Sequence, residues 1–369
     1  MKYYIIAGEA SGDLHGSNLI KALKEKDKEA TIRCWGGDLM HRAGGDLAKH
    51  YKEMAFMGFL EVLKNIPAIF RNISFCKEDI QKFNPDLIIF IDFSGFNLRI
   101  AQWAKKNGFK TNYYISPQIW ASREGRIEKI KRDIDNMYVI LPFEKDFYEK
   151  KHNYPVHFVG HPLIDAIENT EIVNEGVFRK ENNLHPQKPI IALLPGSRKQ
   201  EVQKMLSVML SITQDFPNYQ FVIAGAPSLS DDFYNSFLKQ DVGYVSNQTY
   251  SLLKHSHAAL VTSGTATLET ALFEIPQVVC YKGNWISYQI AKRIITLSYI
   301  SLVNLIMDKE VVKELIQNEL TTKHLKLELS KIIEGKERNR MLSEYKSLKE
   351  KLGGKGASQL AAQLIIENA

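Results

Sequence analysis

Short apolar, β-prone runs alternate with helical stretches along this chain, and the alternation occurs twice. Residues 3–7, 31–35, 87–91, 111–115, 137–141 and 156–159 form the first set of runs; 190–194, 220–224, 258–262 and 277–281 form the second. Strands separated by helices pair in parallel, and a parallel sheet is covered by helices on both faces. The chain is therefore predicted to be α/β, with two doubly wound, Rossmann-like domains facing a cleft. Its 369 residues suit two cores better than one. Residues 168–187 are polar, contain Asn174-Glu-Gly176 and His185-Pro186, and hold no strong strand, so the boundary is placed there. The expected division is 1–170, 187–335 and C-terminal helices, 336–369, that pack back on the first domain or on a second subunit. Helical patterns are read at 286–297, 309–318, 324–335, 338–352 and 358–366, and Gly353-Gly-Lys-Gly356 separates the last two.

Hydrophobic content of 44% and charged content of 24% are those of a soluble globular chain. The net charge of +6 serves solubility or draws the chain to an anionic surface or substrate. Cys34, Cys76 and Cys280 are odd in number, far apart and set in or beside apolar runs, so they read as buried thiols in a reducing compartment. Met1-Lys2 leads straight into a core strand with no cleavage pattern, so no leader is expected. No apolar run reaches the ~18 residues of a membrane span.

In the first half, the opening strand runs into Gly8-Glu-Ala-Ser-Gly-Asp13 ahead of a helical pattern. Such a turn aims backbone N–H groups at whatever lies above the sheet. It imitates a dinucleotide loop, with Asp38 near the acidic position. However, Gly8, Gly12 and Gly16 recur every fourth residue, not as G-x-G-x-x-G. Asp92 ends a strongly apolar strand, where open sheets hold ligands; it is a candidate general base or a turn residue capping the next helix. Trp120, in Ser116-Pro-Gln-Ile-Trp120, lines a sugar or acyl site with Arg123 or serves as a packing aromatic. Met54-Ala-Phe-Met-Gly-Phe-Leu60 continues through Val62, Leu63, Ile66, Ile69 and Phe70, followed by Arg71, Lys77 and Lys82. This stretch reads as a buried helix or as one dipping into lipid, with Phe56, Met57, Phe59, Ile66, Ile69 and Phe70 as membrane contacts.

In the second half, Leu193-Leu-Pro-Gly-Ser-Arg198 and Val261-Thr-Ser-Gly-Thr-Ala-Thr-Leu-Glu269 each join a buried strand to a helix. Glycine lets the backbone approach an anion, hydroxyls donate or cap, and the helix start favours negative charge. Each loop is also an ordinary N-cap turn. Two in one domain, one carrying Arg198, suggest a diphosphate site. Glu269, one turn into the second helix, clasps ribose hydroxyls or complements the helix dipole. The chain holds no Walker A motif, no His-Glu-x2-His and no paired Cys-x2-Cys, so no tightly bound metal or cofactor is expected. Mg²⁺, which needs few protein ligands, stays open.

Nine segments occur in a familiar order. They are Ala7-Gly-Glu-Ala-Ser-Gly-Asp13, Met57-Gly58 with Glu61-Val62-Leu63, Ile91-Asp92, Ser116-Pro117 with Trp120, Leu141-Pro-Phe-Glu144, Gly160-His161, Leu194-Pro-Gly-Ser-Arg198, Ser263-Gly-Thr-Ala-Thr-Leu-Glu269 and Ser301-Leu-Val-Asn304. In this the chain resembles the lipid-A-disaccharide synthase family, from about residue 3 to the last helix. The resemblance implies a two-domain GT-B glycosyltransferase without a cofactor. Its donor would be UDP-2,3-diacylglucosamine, its acceptor 2,3-diacylglucosamine 1-phosphate (lipid X), and its products a β-1,6 disaccharide 1-phosphate and UDP. It also implies peripheral contact with the anionic cytoplasmic face of a Gram-negative inner membrane, and homodimers formed through the C-terminal region. No nucleic-acid partner is expected.

Carried over by residue, the resemblance makes Asp92 the base for the acceptor hydroxyl. Gly196, Ser197 and Arg198 would hold the donor phosphates, with Ser263, Gly264 and Thr265 as the second loop. Glu269 would meet the ribose, and Asn304 and Gln317 match further donor-side positions. Val303 stands where the family has proline, which frees the local backbone. With the diphosphate loops in the second half, Ser11, Gly12, Asp13 and Trp120 fall on the acceptor side. The rival readings are a nucleotide-dependent dehydrogenase, another GT-B UDP-sugar transferase of envelope synthesis, and a non-catalytic UDP-sugar or lipid-binding protein.

Overall fold

A computed structural model describes residues 1–53, 66–238, 241–283 and 298–369. It divides into two compact units: Met1–Glu168 with Leu352–Ala369, and Asn169–Lys351. The expected tail is thus split. Helix Lys336–Lys351 stays with the second unit, where Met341 and Tyr345 meet Gln277, and the last residues return to the first.

The first unit is built on seven strands: β1 (Lys2–Ala7), β2 (Thr31–Gly36), β3 (Asp46–His50), β4 (Leu87–Ile91), β5 (Lys110–Tyr114), β6 (Asn136–Val139) and β7 (His157–Phe158). They lie in the order β3-β2-β1-β4-β5-β6-β7, every pair parallel. β4 is Leu-Ile-Ile-Phe-Ile and fully buried, as a central strand between two helical layers must be. The second unit holds β8 (Ile190–Leu194), β9 (Gln220–Gly225), β10 (Val242–Ser246), β11 (Ser256–Thr262), β12 (Gln277–Tyr281) and β13 (Lys313–Ile316). Their order is β10-β9-β8-β11-β12-β13, again all parallel.

Both sheets start at the centre, wind outward, then cross back to the other side of the first strand. The winding reverses between β1 and β4, where Ala7 pairs with Ile91, and between β8 and β11, where Leu194 pairs with Val261. A crevice opens beyond the carboxyl ends of two such strands, because their connections leave in opposite directions. The glycine turns and Asp92 singled out in the sequence begin at these four strand ends, and the Ser116–Trp120 loop follows the neighbouring β5.

β13 corrects the helix expected at 309–318. Lys313-Glu-Leu-Ile316 has helical charge spacing, but Glu314 is drawn inward and buried. β3 and β10 were not anticipated either. The helix expected at 286–297 lies outside the described residues, as do Phe56, Met57, Phe59 and the side chain of Ile66. The three cysteines are buried and free. No described helix is long and apolar enough to cross a membrane.

Candidate active site

In the first unit, the end of β4 carries Asp92 and Phe93 in the left-handed region, at φ 42° and 47°. Few side chains adopt this conformation without support. Here Asn97, fully buried, donates to the carbonyls of Ile91 (3.2 Å) and Asp92 (2.8 Å), and the Tyr113 hydroxyl also donates to the Asp92 carbonyl. The Phe93 ring covers Gly8, where a Cβ would sit 2.3 Å from it, so β1's turn needs glycine. Burial pushes the Asp92 carboxyl up to about 6; the nearby Glu9 charge adds to the rise, and the Phe93 N–H opposes it. A half-buried carboxylate of that basicity is suited to accept a proton near neutral pH.

The acceptor-side expectations divide. Ser11 is exposed at the start of helix Ala10–Lys26. Gly12 is buried against Ala7, whose Cβ lies 3.0 Å from where a Gly12 Cβ would stand. Asp13 is corrected to a structural role. Its carboxylate accepts from the N–H groups of Gly37 (2.8 Å), Leu39 (3.1 Å) and Met40 (2.9 Å), capping helix Asp38–Arg42, and is buried. Trp120 is held by Nε1 on Glu144 Oε1 (3.1 Å) and stands edge-on to Phe143. Glu144, fully buried, also accepts from the Ser116 hydroxyl (2.6 Å) and the N–H groups of Ile140 (3.1 Å) and Leu141 (2.9 Å). It therefore ties the ends of β5 and β6 together behind the indole.

Of the lipid-facing candidates, Ile69 is half-buried and packs against the core. Phe70, 64% exposed, points outward on helix Ile66–Phe83, beside exposed Arg71.

In the second unit, a pocket of about 240 Å³ opens at the ends of β8, β9 and β11. Gly196, Ser197, Ser263, Gly264, Thr265 and Glu269 line it. Gly196 has φ 101° and Gly264 φ 155°, and each leads into a helix, Lys199–Met209 and Thr265–Leu272. The Ser263 hydroxyl donates to the Ile300 carbonyl (2.9 Å), leaving the Gly264–Thr265 turn open. Glu269 accepts from Tyr250 (3.3 Å), and burial raises its pKa. Arg198 is exposed and makes no ion pair among the described residues.

Sequence reasoning did not single out Glu201 or Thr262. Glu201 reaches back over the first loop: its carboxylate occupies the space a Gly196 side chain would need, 2.6 Å away. Burial raises its pKa, against the pull of Arg198 and the N–H groups of Ser197 and Arg198. A glutamate three residues beyond the N-cap was the available signal. Thr262 lines the pocket with a buried hydroxyl that has no partner among the described residues.

Asn304 is corrected from a donor contact to a buried knot. Its amide donates to the Val312 carbonyl and Glu314 Oε1, both at 2.9 Å, and its oxygen accepts from Val311 (2.8 Å) and Val312 (3.0 Å). Glu314 also accepts from Ser301 Oγ (2.7 Å). Gln317, at φ 53° past the end of β13, has a buried Nε2 with no partner among the described residues. No cluster of three or more metal-ligating side chains occurs among the described residues.

The Lipid-A-disaccharide synthetase family model matches residues 3–367. The chain is 38% identical to a protein named Lipid-A-disaccharide synthase from Coxiella burnetii, over 98% of this chain and 96% of that one. It is equally identical, over the same shares, to a protein of that name from Trichlorobacter lovleyi. Among solved structures it is similar to UDP-GlcNAc 2-epimerase from Neisseria meningitidis bound to UDP-GlcNAc (TM-score 0.70, 12% identity, both chains fully covered). It is also similar to the glycosyltransferase of kitacinnamycin (TM-score 0.64, 12% identity, 100% and 98% covered). These two show the fold alone, the GT-B arrangement of paired doubly wound sheets. Matched along nearly its whole length, the chain belongs to the lipid-A-disaccharide synthase family.

Proposed function

We infer that the protein is an inverting glycosyltransferase that joins UDP-2,3-diacylglucosamine to lipid X, giving the β-1,6 lipid A disaccharide 1-phosphate and UDP. The observation that carries this reading is the pairing of family membership with two differently equipped switch points. One unit offers a basic carboxylate, and the other a pair of open glycine–hydroxyl loops.

Asp92 takes the proton of the acceptor's 6-hydroxyl as the oxygen attacks the donor's anomeric carbon from the face opposite UDP. A sugar hydroxyl is a weak nucleophile near neutral pH, and a positioned base contributes about 10²–10⁴-fold. Charge develops on the departing β-phosphate. Arg198 and the N-termini of the helices after residues 198 and 264 stabilise it, with groups of this kind worth about 3–4 kcal/mol each. Glu269 meets the ribose, and Gln317 Nε2 is a further donor toward the UDP-sugar. Ser11 and Trp120 border the acceptor.

The protein acts at the cytoplasmic face of the inner membrane. The net positive charge and the outward Phe70 with Arg71 support contact with anionic lipid there. A homodimer through the C-terminal region belongs to the same reading and rests on the family alone. The test is UDP release from purified protein given donor, acceptor or both lipids. Release is expected only with both, and release at full rate with donor alone would make the protein a hydrolase.

A further inference from the structure

Three arginines gather around the start of helix Ser94–Lys106, the helix that follows Asp92. Arg126, half-buried, donates from Nη1 to the Ser94 hydroxyl at 2.7 Å. Ser94 opens helix Ser94–Lys106, one residue beyond Phe93. Arg99, on the next turn, donates to the Gly95 carbonyl. Arg123 follows the Trp120 loop, and its exposed guanidinium makes no hydrogen bond or ion pair among the described residues. Burial lowers the pKa of Arg126, and the charges of Arg123 and Arg99 lower it further, so each of the two stands within repelling range of Arg126.

Apart from the Asp92 carboxyl, two positions before Ser94, nothing anionic among the described residues answers them. The adjoining Glu124 is engaged by Lys151 (2.7 Å) and His152 (2.9 Å). The first turn of the helix holds no acidic residue, and Phe93 supplies no side-chain cap. A side chain added at Gly95 would meet nothing within 4 Å, so the space before that turn is open. The repulsion on the partly buried Arg126 is offset when an anion binds among the three. Guanidinium forks and free helix N–H groups both match phosphate oxygens.

We propose that Arg99, Arg123 and Arg126, with the first turn of helix Ser94–Lys106, form a phosphate-monoester subsite that holds the acceptor's anomeric phosphate while Asp92 faces its other end. The assignment rests on the acceptor reading above. Asp92 and Ser94 lie two positions apart, at most about 7 Å between Cα atoms, a span that one hexose ring bridges. The subsite thus sets which hydroxyl of the acceptor reaches the base.

The test is steady-state kinetics with the phosphorylated acceptor and with its dephosphorylated form. Arg123→Ala and Arg126→Ala are each expected to raise the KM for the phosphorylated acceptor by roughly 10-fold or more, with UDP affinity unchanged. Together they should erase the preference for the phosphate, and Arg126→Lys should restore part of it. Transfer that continues with an unchanged acceptor KM in both variants overturns the subsite and leaves the transfer reading standing. Calorimetric binding of glucosamine 1-phosphate separates the two. Binding by wild type that is lost in Arg123→Ala supports the subsite even where no disaccharide forms. Sedimentation with phosphatidylglycerol vesicles should be the same for all variants. Release from vesicles with acceptor KM unchanged would assign the arginines to the lipid surface instead.

Discussion

At the scale of single residues, Asp92 carries the account. Its carboxyl is raised to about 6 by burial and by Glu9, above the ordinary aspartate value of 3.8. The acidic limb of kcat/KM should therefore fall tenfold per pH unit below about 6. Asp92→Asn should lower turnover by about 10²–10⁴-fold with UDP binding intact, as read by kinetics and calorimetry. A carboxyl raised in the fold contributes stability that is present below 3.8 and lost as pH rises through about 6. The same variant should therefore melt higher at pH 7. Turnover near wild type would remove Asp92 from the role. Much of this site was legible because strand-then-glycine turns announce strand ends. What the sequence hid was how side chains are occupied. Asp13 and Asn304 look like ligand contacts in the linear pattern, yet three backbone N–H groups hold the first and a buried carboxylate knot the second. Asn304→Ala should cost about 2–4 kcal/mol in urea unfolding of the second unit, since it strands two N–H groups and Glu314. Loss of activity without loss of stability would return Asn304 to the donor site.

Among the elements, every strand that escaped the sequence pattern lies at a sheet edge: β3, β10 and β13. Central strands are buried on both faces and read as apolar runs. An edge strand need hide little, and Asp46-Leu-Ala-Lys-His50 has only two apolar residues. The glycine hinge before helix Ala357–Glu367 left two destinations for it, the first domain or a second subunit, and its return to the first unit depends on contacts far apart in sequence. Asp165 caps that helix, accepting from Gly356 (2.7 Å) and Ser358 (3.0 Å), and the His161 N–H donates to the Leu352 carbonyl (3.0 Å). Gly160 and Gly353 approach so closely that a Cβ on Gly353 would stand 3.2 Å from the Gly160 Cα. His15 and His161 are buried in the same unit, their rings edge to face. Burial lowers His15 to about 4, with Asp165 opposing, and lowers His161 to about 3, with His15 adding to the fall. Their stabilising contribution is present above about 6.5 and lost as pH falls through 4 and 3. Hydrogen exchange should therefore show helix Ala357–Glu367 loosening below about pH 5, less so in His15→Gln. Protection unchanged down to pH 4 would contradict this.

For the whole molecule, the two-sheet plan was legible from alternation alone. Strand order was not, since any winding fits the same runs. The structure supplies the order, and with it the reason that the candidate site residues cluster at strand ends. The proposed membrane contact belongs to this scale as well. Phe70→Ser should reduce sedimentation with phosphatidylglycerol vesicles without lowering the melting temperature, and raised salt should have a similar effect on wild type. Unfolding on that substitution would place Phe70 in a core. The central claim is transfer of a diacylglucosamine from UDP to the acceptor's 6-hydroxyl with inversion. It is tested most directly by following UDP and product together, with an isotope-labelled donor and NMR of the new glycosidic bond. One UDP per β-1,6-linked disaccharide 1-phosphate is the expected result. An α linkage, or UDP released without disaccharide, would contradict it.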